Sequence, residues 1–235
     1  MGNSPDRKRI IEVFIDESMR AEPKLVLAGA IVFEDAREEL DARIRELYED
    51  ISGSFYLDDA RSFRKFRKAG FHATDDNAEI SSQFVRLIAR ISGAKLFIES
   101  SDQTSRPDLS VEQTIALLEV RLVETILRKF AWAEEVRFTF ERHSKLDDHY
   151  PQIVHAGKRR AHYRGEVHVV SAAKMEPPSL AIVDYALYHF ARAHNPGAAE
   201  WERLRWRAFR PLVSSVRSLD AGGVPLRRGL HAEVP

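Results

Sequence analysis

Short apolar runs alternate with longer amphipathic stripes along this chain. Runs rich in β-branched and aromatic residues predict buried strands, and apolar positions that recur every three to four residues predict helices. Gly29, inside the second run, indicates a bulge or a close backbone approach. A short polar turn joins the first two runs, which therefore predict a hairpin. The predicted strands are 10–18, 24–33, 94–99, 135–141 and 166–170.

The predicted helices begin at Asp or Ser residues, whose side chains can accept hydrogen bonds from the first helical turn. Residues 52–78 and 143–165 are predicted to be irregular. The alternation over 203–207 fits a strand and its composition fits a helix, so both assignments stay open. The predicted helices run from Asp35 to about Asp50, from Asp76 to about Ile91, from Ser110 to about Trp132, and from Leu180, after Ser179, to about Ala193.

Strands and helices mixed in this order predict an α/β layered domain. A length of 235 residues suits one large domain, or one domain with an appendage. We divide the chain into a flexible N-terminus (1–9), a main domain (10–195) and a C-terminal extension (196–235).

Composition narrows the function classes. The chain is 44% hydrophobic and 31% charged, which is typical of a globular protein. It contains no cysteine, which excludes disulfides, zinc thiolates and cysteine nucleophiles and fits a cytoplasmic protein. Neither a signal peptide nor a membrane span is predicted. Lys and Arg together number 36, as do Asp and Glu, so the total charge does not indicate nucleic-acid binding.

Several carboxylates occupy positions where a charge is costly. Asp16, Glu99 and Glu141 end predicted strands, and Glu119 and Asp184 lie on apolar faces of predicted helices. Each acid by itself fits a turn or a salt bridge, but a buried charge needs a partner. Hard cations such as Mg²⁺ or Mn²⁺ prefer several oxygen ligands. The set together predicts a metal site, with Asp16, Glu119, Glu141 and Asp184 as candidate catalytic residues.

Three further residues are candidates for supporting roles around that site. Glu17 and Ser18 directly follow Asp16, and strand alternation places Glu17 on the opposite face from Asp16. His72 can orient a phosphate or a water, or carry a proton. The alternative for His72 is a loop histidine bonded to the backbone.

Basic residues interleaved with aromatic residues form three segments, 61–68, 158–164 and 203–210. This mixture suits a phosphate backbone with stacked bases, and it equally suits a solvated face on which arginine stems cover aromatic surface. If one site gathers these segments, RNA or DNA is the expected partner. The candidate nucleic-acid-binding residues are Arg61, Arg64, Lys65, Arg67, Lys68, Lys158, Arg159 and Arg160.

Four motifs together resemble a known family. They are Phe14-Ile15-Asp16-Glu17-Ser18, Leu27-Ala28-Gly29, Phe71-His72-Ala73-Thr74 and Leu180-Ala181-Ile182-Val183-Asp184-Tyr185-Ala186. Over about residues 10–195 the chain is similar to an uncharacterised bacterial and phage family, catalogued as domain of unknown function thirty-eight-hundred, in the ribonuclease-H-like superfamily. The chain departs from that family at Met19, where the family has glycine, and in the step before Asp184, where Leu-Ala-Ile-Val replaces Leu-Gln-Ile-Ala.

This resemblance implies an α/β fold with a ribonuclease-H-like mixed sheet flanked by helices. It implies that Asp16 on the central strand and Asp184 on a late helix bind metal, with Glu141 or Glu119 as the intermediate acid and Glu99 as a further alternative. We therefore expect a Mg²⁺- or Mn²⁺-dependent nuclease that hydrolyses phosphodiester bonds. The alternative is an inactive module on the same fold that binds nucleic acid or protein. A sugar hydrolase with paired carboxylates is a third candidate.

Overall fold

The strands and helices of the computed structural model follow the apolar pattern closely. The structure describes residues 8–20, 24–34, 37–54, 61–174, 176–220 and 225–226, so the predicted cap Asp35 lies outside the described residues. The strands are β1 (Ile10–Arg20), β2 (Leu25–Phe33), β3 (Ala94–Asp102), β4 (Glu135–Glu141), β5 (Glu166–Ala172), β6 (Val213–Ser218) and β7 (Pro225–Leu226). The helices are α1 (Arg37–Ser52), α2 (Arg61–Ala69), α3 (Ala78–Ile88), α4 (Val111–Lys129), α5 (Tyr150–Ala161), α6 (Leu180–Ala193) and α7 (Glu200–Arg207).

One mixed sheet contains these strands in the order β5-β4-β1-β2-β3-β6-β7. β1, β2 and β3 form an antiparallel meander, and β4 and β5 continue the sheet in parallel on the other side of β1. β6 runs parallel to β3 and extends the other edge. The chain therefore has the predicted α/β class and the ribonuclease-H-like mixed sheet, with helices on both faces.

Strand alternation divides the side chains of β1 between the two layers. Ile11, Val13 and Ile15 pack in the core beneath α4 and α5, whereas Phe14 packs in the core that contains α6. α6 lies close over β2, because a Cβ added to Gly29 would come within 2.8 Å of Leu187 Cδ2. The close approach predicted from Gly29 is thus confirmed, and it brings α6 down onto the centre of the sheet.

Each of the two segments predicted to be irregular, 52–78 and 143–165, contains a helix, so those predictions were wrong for residues 61–69 and 150–161. In α2, Phe63 and Phe66 are buried while the basic residues between them are exposed. A helix of nine residues is too short for its apolar spacing to stand out among so many charges. In α5, Gly157 allows close packing, since a Cβ there would approach Val123 Cγ1 of α4 to 2.5 Å. Tertiary packing, rather than local propensity, determines both helices.

Two predicted caps are also corrected. The N-cap of α3 is Asn77, whose side chain accepts from two backbone N–H groups, and not Asp76. Ser179 makes no capping hydrogen bond to α6. Its Oγ and its backbone N instead donate to Asp41 Oδ1 at 2.6 and 3.1 Å, which ties the start of α6 to α1. The predicted capping box of Ser110 and Gln113 is confirmed.

The segment 203–207, left open between helix and strand, belongs to α7. Phe209 and Leu212 after it are buried in the α6-side core, and β6 then joins the sheet beside β3. Among the helices that the structure describes, none has the length and apolar character needed to cross a membrane.

Candidate metal centre

Three carboxylates from three different elements meet where β4 ends beside β1, although β1 itself continues past Asp16 to Arg20, beyond the strand end predicted there. Asp16 lies on β1 and Glu141 ends the adjacent parallel strand β4, whose residue Phe140 is paired with Ile15. Asp184 reaches the same place from α6, which crosses β1 and β2. The parallel pairing of β1 with β4 and the close approach of α6 therefore bring together the acids that the sequence singled out.

A lysine that the sequence reasoning missed lies between these acids. Lys174 Nζ is 2.9 Å from Glu141 Oε2, 3.3 Å from Asp184 Oδ1 and 3.5 Å from Asp16 Oδ2. Only 10% of the Lys174 side chain is exposed. Lys174 follows the end of β5 by two residues, and this position is the one signal in the sequence that places it near the ends of the parallel strands. We call Asp16, Glu141, Asp184 and Lys174 the carboxylate–lysine cluster.

The pKa values of two acids in this cluster shift in opposite directions. Burial raises the pKa of Asp16 well above its usual range, opposed by the Lys174 ammonium and reinforced by the negative charge of Glu141. Burial favours a higher pKa for Glu141, but the neighbouring Asp16 carboxyl and the Lys174 ammonium outweigh burial, so the pKa of Glu141 is lowered. Three carboxylates around one ammonium leave an excess of acid, which favours a further proton or a cation of higher charge.

A loop between α2 and α3 positions Asp184. The backbone N–H of Ala73 donates to Asp184 Oδ2 at 2.7 Å. His72 Nδ1 lies 4.0 Å from the same oxygen and is buried without a hydrogen-bond partner. The Phe-His-Ala-Thr motif therefore acts on the site through its backbone, and His72 is placed beside the cluster, in keeping with a supporting role.

Asp76 holds this loop in place. Asp76 Oδ2 accepts from the backbone N–H of His72 at 2.8 Å and from the hydroxyl of Tyr185, the residue after Asp184. Burial raises the pKa of Asp76 to about 7, although both hydrogen bonds act in the opposite direction. Asp76 thus connects the loop to the helix that carries Asp184, a role that sequence spacing did not reveal.

Two further acids, Glu17 of β1 and Glu119 of α4, lie on the α4 side of the sheet. The backbone N–H of Glu17 donates to Asp16 Oδ1 at 2.8 Å. The Glu17 carboxylate lies 4.0 Å from His143 Nε2 and close enough to Glu119 on α4 to raise the pKa of Glu119, which fits the face that alternation predicted. Burial, followed by the charge of Glu141, raises the pKa of Glu17 to about 7. Neither carboxyl oxygen of Glu119 has a hydrogen-bond partner, and burial followed by the charge of Glu17 raises its pKa well above the usual range. Lys174 pairs with Glu141, so Glu141 is the glutamate that lies with Asp16 and Asp184 around this ammonium, whereas Glu119 lies apart from it.

The remaining candidates occupy different positions. Ser18 is half-buried two residues beyond Asp16, on the same side of β1. Glu99 is buried on β3 and receives a hydrogen bond from Arg121 Nε on α4 at 3.1 Å, so it belongs to a structural ion pair.

A second group with metal-ligand spacing lies far from this cluster. Ligand atoms of Glu135, Glu166 and His168 come within 4.8 Å of one another. Glu135 starts the strand that Glu141 ends, so the two sites are separated by about 20 Å of strand. Lys8 and Arg137 already pair with Glu135 and lower its pKa to about 2, which accounts for these acids without a metal.

The basic segments do not share one surface. α2 packs on the α6 side of the sheet and α5 on the other side, as their buried residues show. Lys158 Nζ donates to the carbonyl of Gly165, just before β5, at the end of the sheet opposite Glu141. Arg159 and Arg160 are exposed at that same end of α5. One groove therefore does not gather all three segments.

α2 places a basic residue beside the loop that positions Asp184. Lys65 Nζ forms an ion pair with Asp75 Oδ1 at 2.8 Å, in the loop that positions Asp184. Arg64 and Lys68 are exposed on the same helix, and Arg67 donates to the carbonyl of Ser52. The side chain of Arg61 lies outside the described residues.

The aromatic residues of these segments are mostly core residues. Phe63, Phe66 and Phe209 are 0 to 1% exposed, and Tyr163 is 7% exposed. A buried ring cannot stack on a nucleic-acid base, so the stacking role expected from the interleaved pattern is wrong for these four residues. Trp206, the remaining aromatic residue of these segments, is half-buried, so the segments offer mainly positive charge.

A cleft of about 630 Å³ runs along β1, β4 and β5, and no residue of the carboxylate–lysine cluster lines it. It contacts Phe14 and Thr139, each two residues before an acid of the cluster, and Ala172, which is paired with Glu141. Its charged lining comprises Glu12, Arg37, Glu38, Asp41, Arg45, Arg137 and Glu176. Because acids and arginines are nearly balanced, the charge of this cleft favours neither a polyanion nor a polycation.

Comparison with known proteins adds no assignment to this geometry: no protein-family model matches the chain, and no curated protein matches it.

Proposed function

We propose that this chain is a divalent-metal-dependent nuclease that hydrolyses phosphodiester bonds at the carboxylate–lysine cluster. The observation that supports the proposal is the meeting of Asp16, Glu141 and Asp184 within 3.5 Å of a single positive charge. These acids come from two strands and a helix, so the fold itself maintains the oxygen-rich, cation-binding arrangement.

The donor set fits Mg²⁺ or Mn²⁺. All three side chains offer carboxylate oxygens, the ligands that hard cations prefer, and they are largely withdrawn from solvent. Asp16, Glu141 and Asp184 would hold the ion. A divalent cation in such a site supplies Lewis-acid activation of water and neutralises charge on the phosphoryl group.

The residues of the chain perform the remaining tasks. The backbone N–H groups of Glu17 and Ala73 orient Asp16 and Asp184. His72 Nδ1, buried and without a hydrogen-bond partner, is placed to bind a phosphate oxygen or to carry a proton at the edge of the cluster. The exposed residues Arg64 and Lys68 of α2 supply positive charge for the phosphate backbone of RNA or DNA.

Cleavage assays on mixed RNA and DNA substrates test this proposal. We expect cleavage that requires Mg²⁺ or Mn²⁺ and that falls at least a hundredfold in Asp16→Asn and in Asp184→Asn. The matched control is Asp50→Asn, an exposed acid on α1, which should retain full activity. Activity that survives Asp16→Asn would exclude this mechanism.

The inactive module on the same fold is the second candidate, and one observation favours it. Lys174 already provides a cation for the three carboxylates, as a site that has lost its metal would require. Calorimetric titration with Mg²⁺ and Mn²⁺ separates the two candidates. A protein that binds neither ion but binds nucleic acid is the module, whereas one that binds an ion only while Asp16 is present supports the nuclease.

A further inference from the structure

We infer that Lys174 is an intramolecular competitor for the metal, whose ammonium occupies the carboxylate site until a divalent cation displaces it. The inference rests on the metal site of the proposed function and adds a control element to it. Its basis is the position of Lys174 Nζ, which contacts one oxygen from each of the three acids.

The ammonium and a metal ion compete for the same oxygens. A lysine head group is a compact charge with three N–H donors, and the structure gives it three carboxylate partners at 2.9 to 3.5 Å. Divalent ions bind carboxylate oxygens at about 2.0 to 2.6 Å, within the space that this ammonium fills. Two cations in contact would also repel strongly where water is largely excluded. Metal binding therefore requires the ammonium to leave.

The fold allows the lysine to move while the acids stay in place. Asp16 and Glu141 lie on paired strands and Asp184 on a helix packed against them. Lys174 instead lies in the connection between β5 and α6, and its ammonium is carried by a flexible four-carbon side chain. Hydrogen bonds hold this connection on both sides of the lysine, from Ala173 N to Glu176 Oε2 and from Ser179 to Asp41. Displacement is thus expected to be local to the lysine and its immediate neighbours.

Competition of this kind lowers the apparent metal affinity by the fraction of molecules in which the site is free of lysine. The ammonium also offsets part of the negative charge of the three acids when no metal is bound. Removing the ammonium should therefore tighten metal binding and lower the stability of the metal-free protein. These two effects have opposite directions. If Lys174 had a merely structural role, its removal would lower the stability of the protein without tightening metal binding.

The test compares Mg²⁺ and Mn²⁺ binding by calorimetry in the wild type, in Lys174→Met and in Lys145→Met. Lys145 also pairs with an acid, Glu112, but on the exposed surface, so it is the matched control. We expect Kd to fall at least tenfold in Lys174→Met and to stay within twofold in Lys145→Met. We also expect Lys174→Met to have a lower melting temperature in EDTA, with the deficit removed by Mg²⁺.

A second measurement uses the wild-type protein, in case Lys174→Met folds poorly. Acylation of lysines by a water-soluble active ester, followed by peptide mass spectrometry, reports on each ammonium group separately. Labelling of Lys174 should rise severalfold when Mg²⁺ is added, while labelling of Lys145 should not change. Labelling of Lys174 that is unaffected by saturating Mg²⁺ would overturn the inference.

Cleavage measured on the same variants separates this inference from the proposed function. Tighter metal binding in Lys174→Met without any cleavage supports the competitor and argues against the nuclease. Metal-dependent cleavage by the wild type with unchanged or weaker affinity in Lys174→Met supports the nuclease and overturns the competitor. Absence of Mg²⁺ and Mn²⁺ binding in both proteins overturns both.

Discussion

The backbone N–H of Ala73 donates to Asp184 Oδ2 at 2.7 Å, although the two residues are 111 positions apart in the chain. Asp76 fixes the loop that carries Ala73 by accepting from His72 N and from the hydroxyl of Tyr185. The orientation of a candidate metal ligand therefore depends on a small hydrogen-bond network outside the cluster.

Replacing Tyr185 by Phe should weaken this network. Tyr185 is fully buried, and loss of its hydroxyl leaves Asp76 with one donor fewer at a site where its charge is costly, so we expect a loss of about 1–3 kcal/mol in unfolding free energy. Mg²⁺ affinity should fall as well, because the loop holds Asp184. Urea unfolding and calorimetry measure the two effects. Tyr48→Phe, which removes an exposed hydroxyl that donates to the carbonyl of Arg67, is the control and should change neither by much.

Gly29→Ala should lift α6 away from the sheet. The added methyl group would meet Leu187 Cδ2 at 2.8 Å and Val183 Cγ1 at 3.1 Å, and overpacking of this kind costs about 1–3 kcal/mol. Because Asp184 follows Val183, the same variant should bind Mg²⁺ more weakly. Gly197→Ala is the control, since a Cβ there meets nothing within 4 Å. Equal metal affinity in the two variants would show that the helix adjusts without moving Asp184.

Glu119→Met should stabilise the protein at neutral and alkaline pH. The folded-state pKa of Glu119 is raised, so the wild type loses stability as pH rises above about 4.5 and through that folded-state pKa. Methionine removes both buried oxygens that lack partners, and we expect a gain of about 1–3 kcal/mol at pH 8 that shrinks toward pH 4. Denaturant unfolding between pH 4 and pH 8 measures this gain in unfolding free energy. Glu124→Met, on the same helix but in an i,i+4 pair with Arg128, should show no such gain.

His189 should make the fold sensitive to acid. Burial, followed by the charges of Arg205 and Arg192, lowers the pKa of His189 to about 4, and neither ring nitrogen has a hydrogen-bond partner. Because the folded pKa is depressed, its contribution to stability is complete above about pH 6.5 and is lost as pH falls toward 4, up to about 3 kcal/mol. His189→Phe should remove this part of the slope, since the site is already aromatic, with Tyr185, Tyr188 and Phe209 around it. Parallel pH profiles for the two proteins would contradict this.

Strands β1 to β5 and the acids could be predicted because their signals are local, whereas β6 and β7 were not predicted and β3 runs beyond Glu99 to Asp102. β4 was predicted at its true bounds from period-two alternation, and Asp184 stood out as an acid on an apolar helix. Lys174 could not be found in this way, because a single lysine in a polar connection looks like any solvated residue. The choice between Glu141 and Glu119 also needed the structure, since both are credible alone and only strand pairing places Glu141 beside Asp16.

The helices α2 and α5 show the opposite case. Their sequences contain so many basic residues that composition indicated a nucleic-acid surface and concealed the helical spacing of Phe63 and Phe66, or of Ile153 and Val154. Those residues are buried only because neighbouring elements cover them, which is information that a short window of sequence does not contain.

The parts of the carboxylate–lysine cluster are spread across the chain, from Asp16 near the beginning to Asp184 near the end. During synthesis on the ribosome, β1 and β4 can pair long before α6 emerges, but Asp16 and Glu141 then lack both Lys174 and Asp184. The cluster is completed only when at least 184 residues have left the exit tunnel. A nascent or truncated chain that stops before Asp184 therefore lacks one of the three acids, so the cluster can form only late in synthesis.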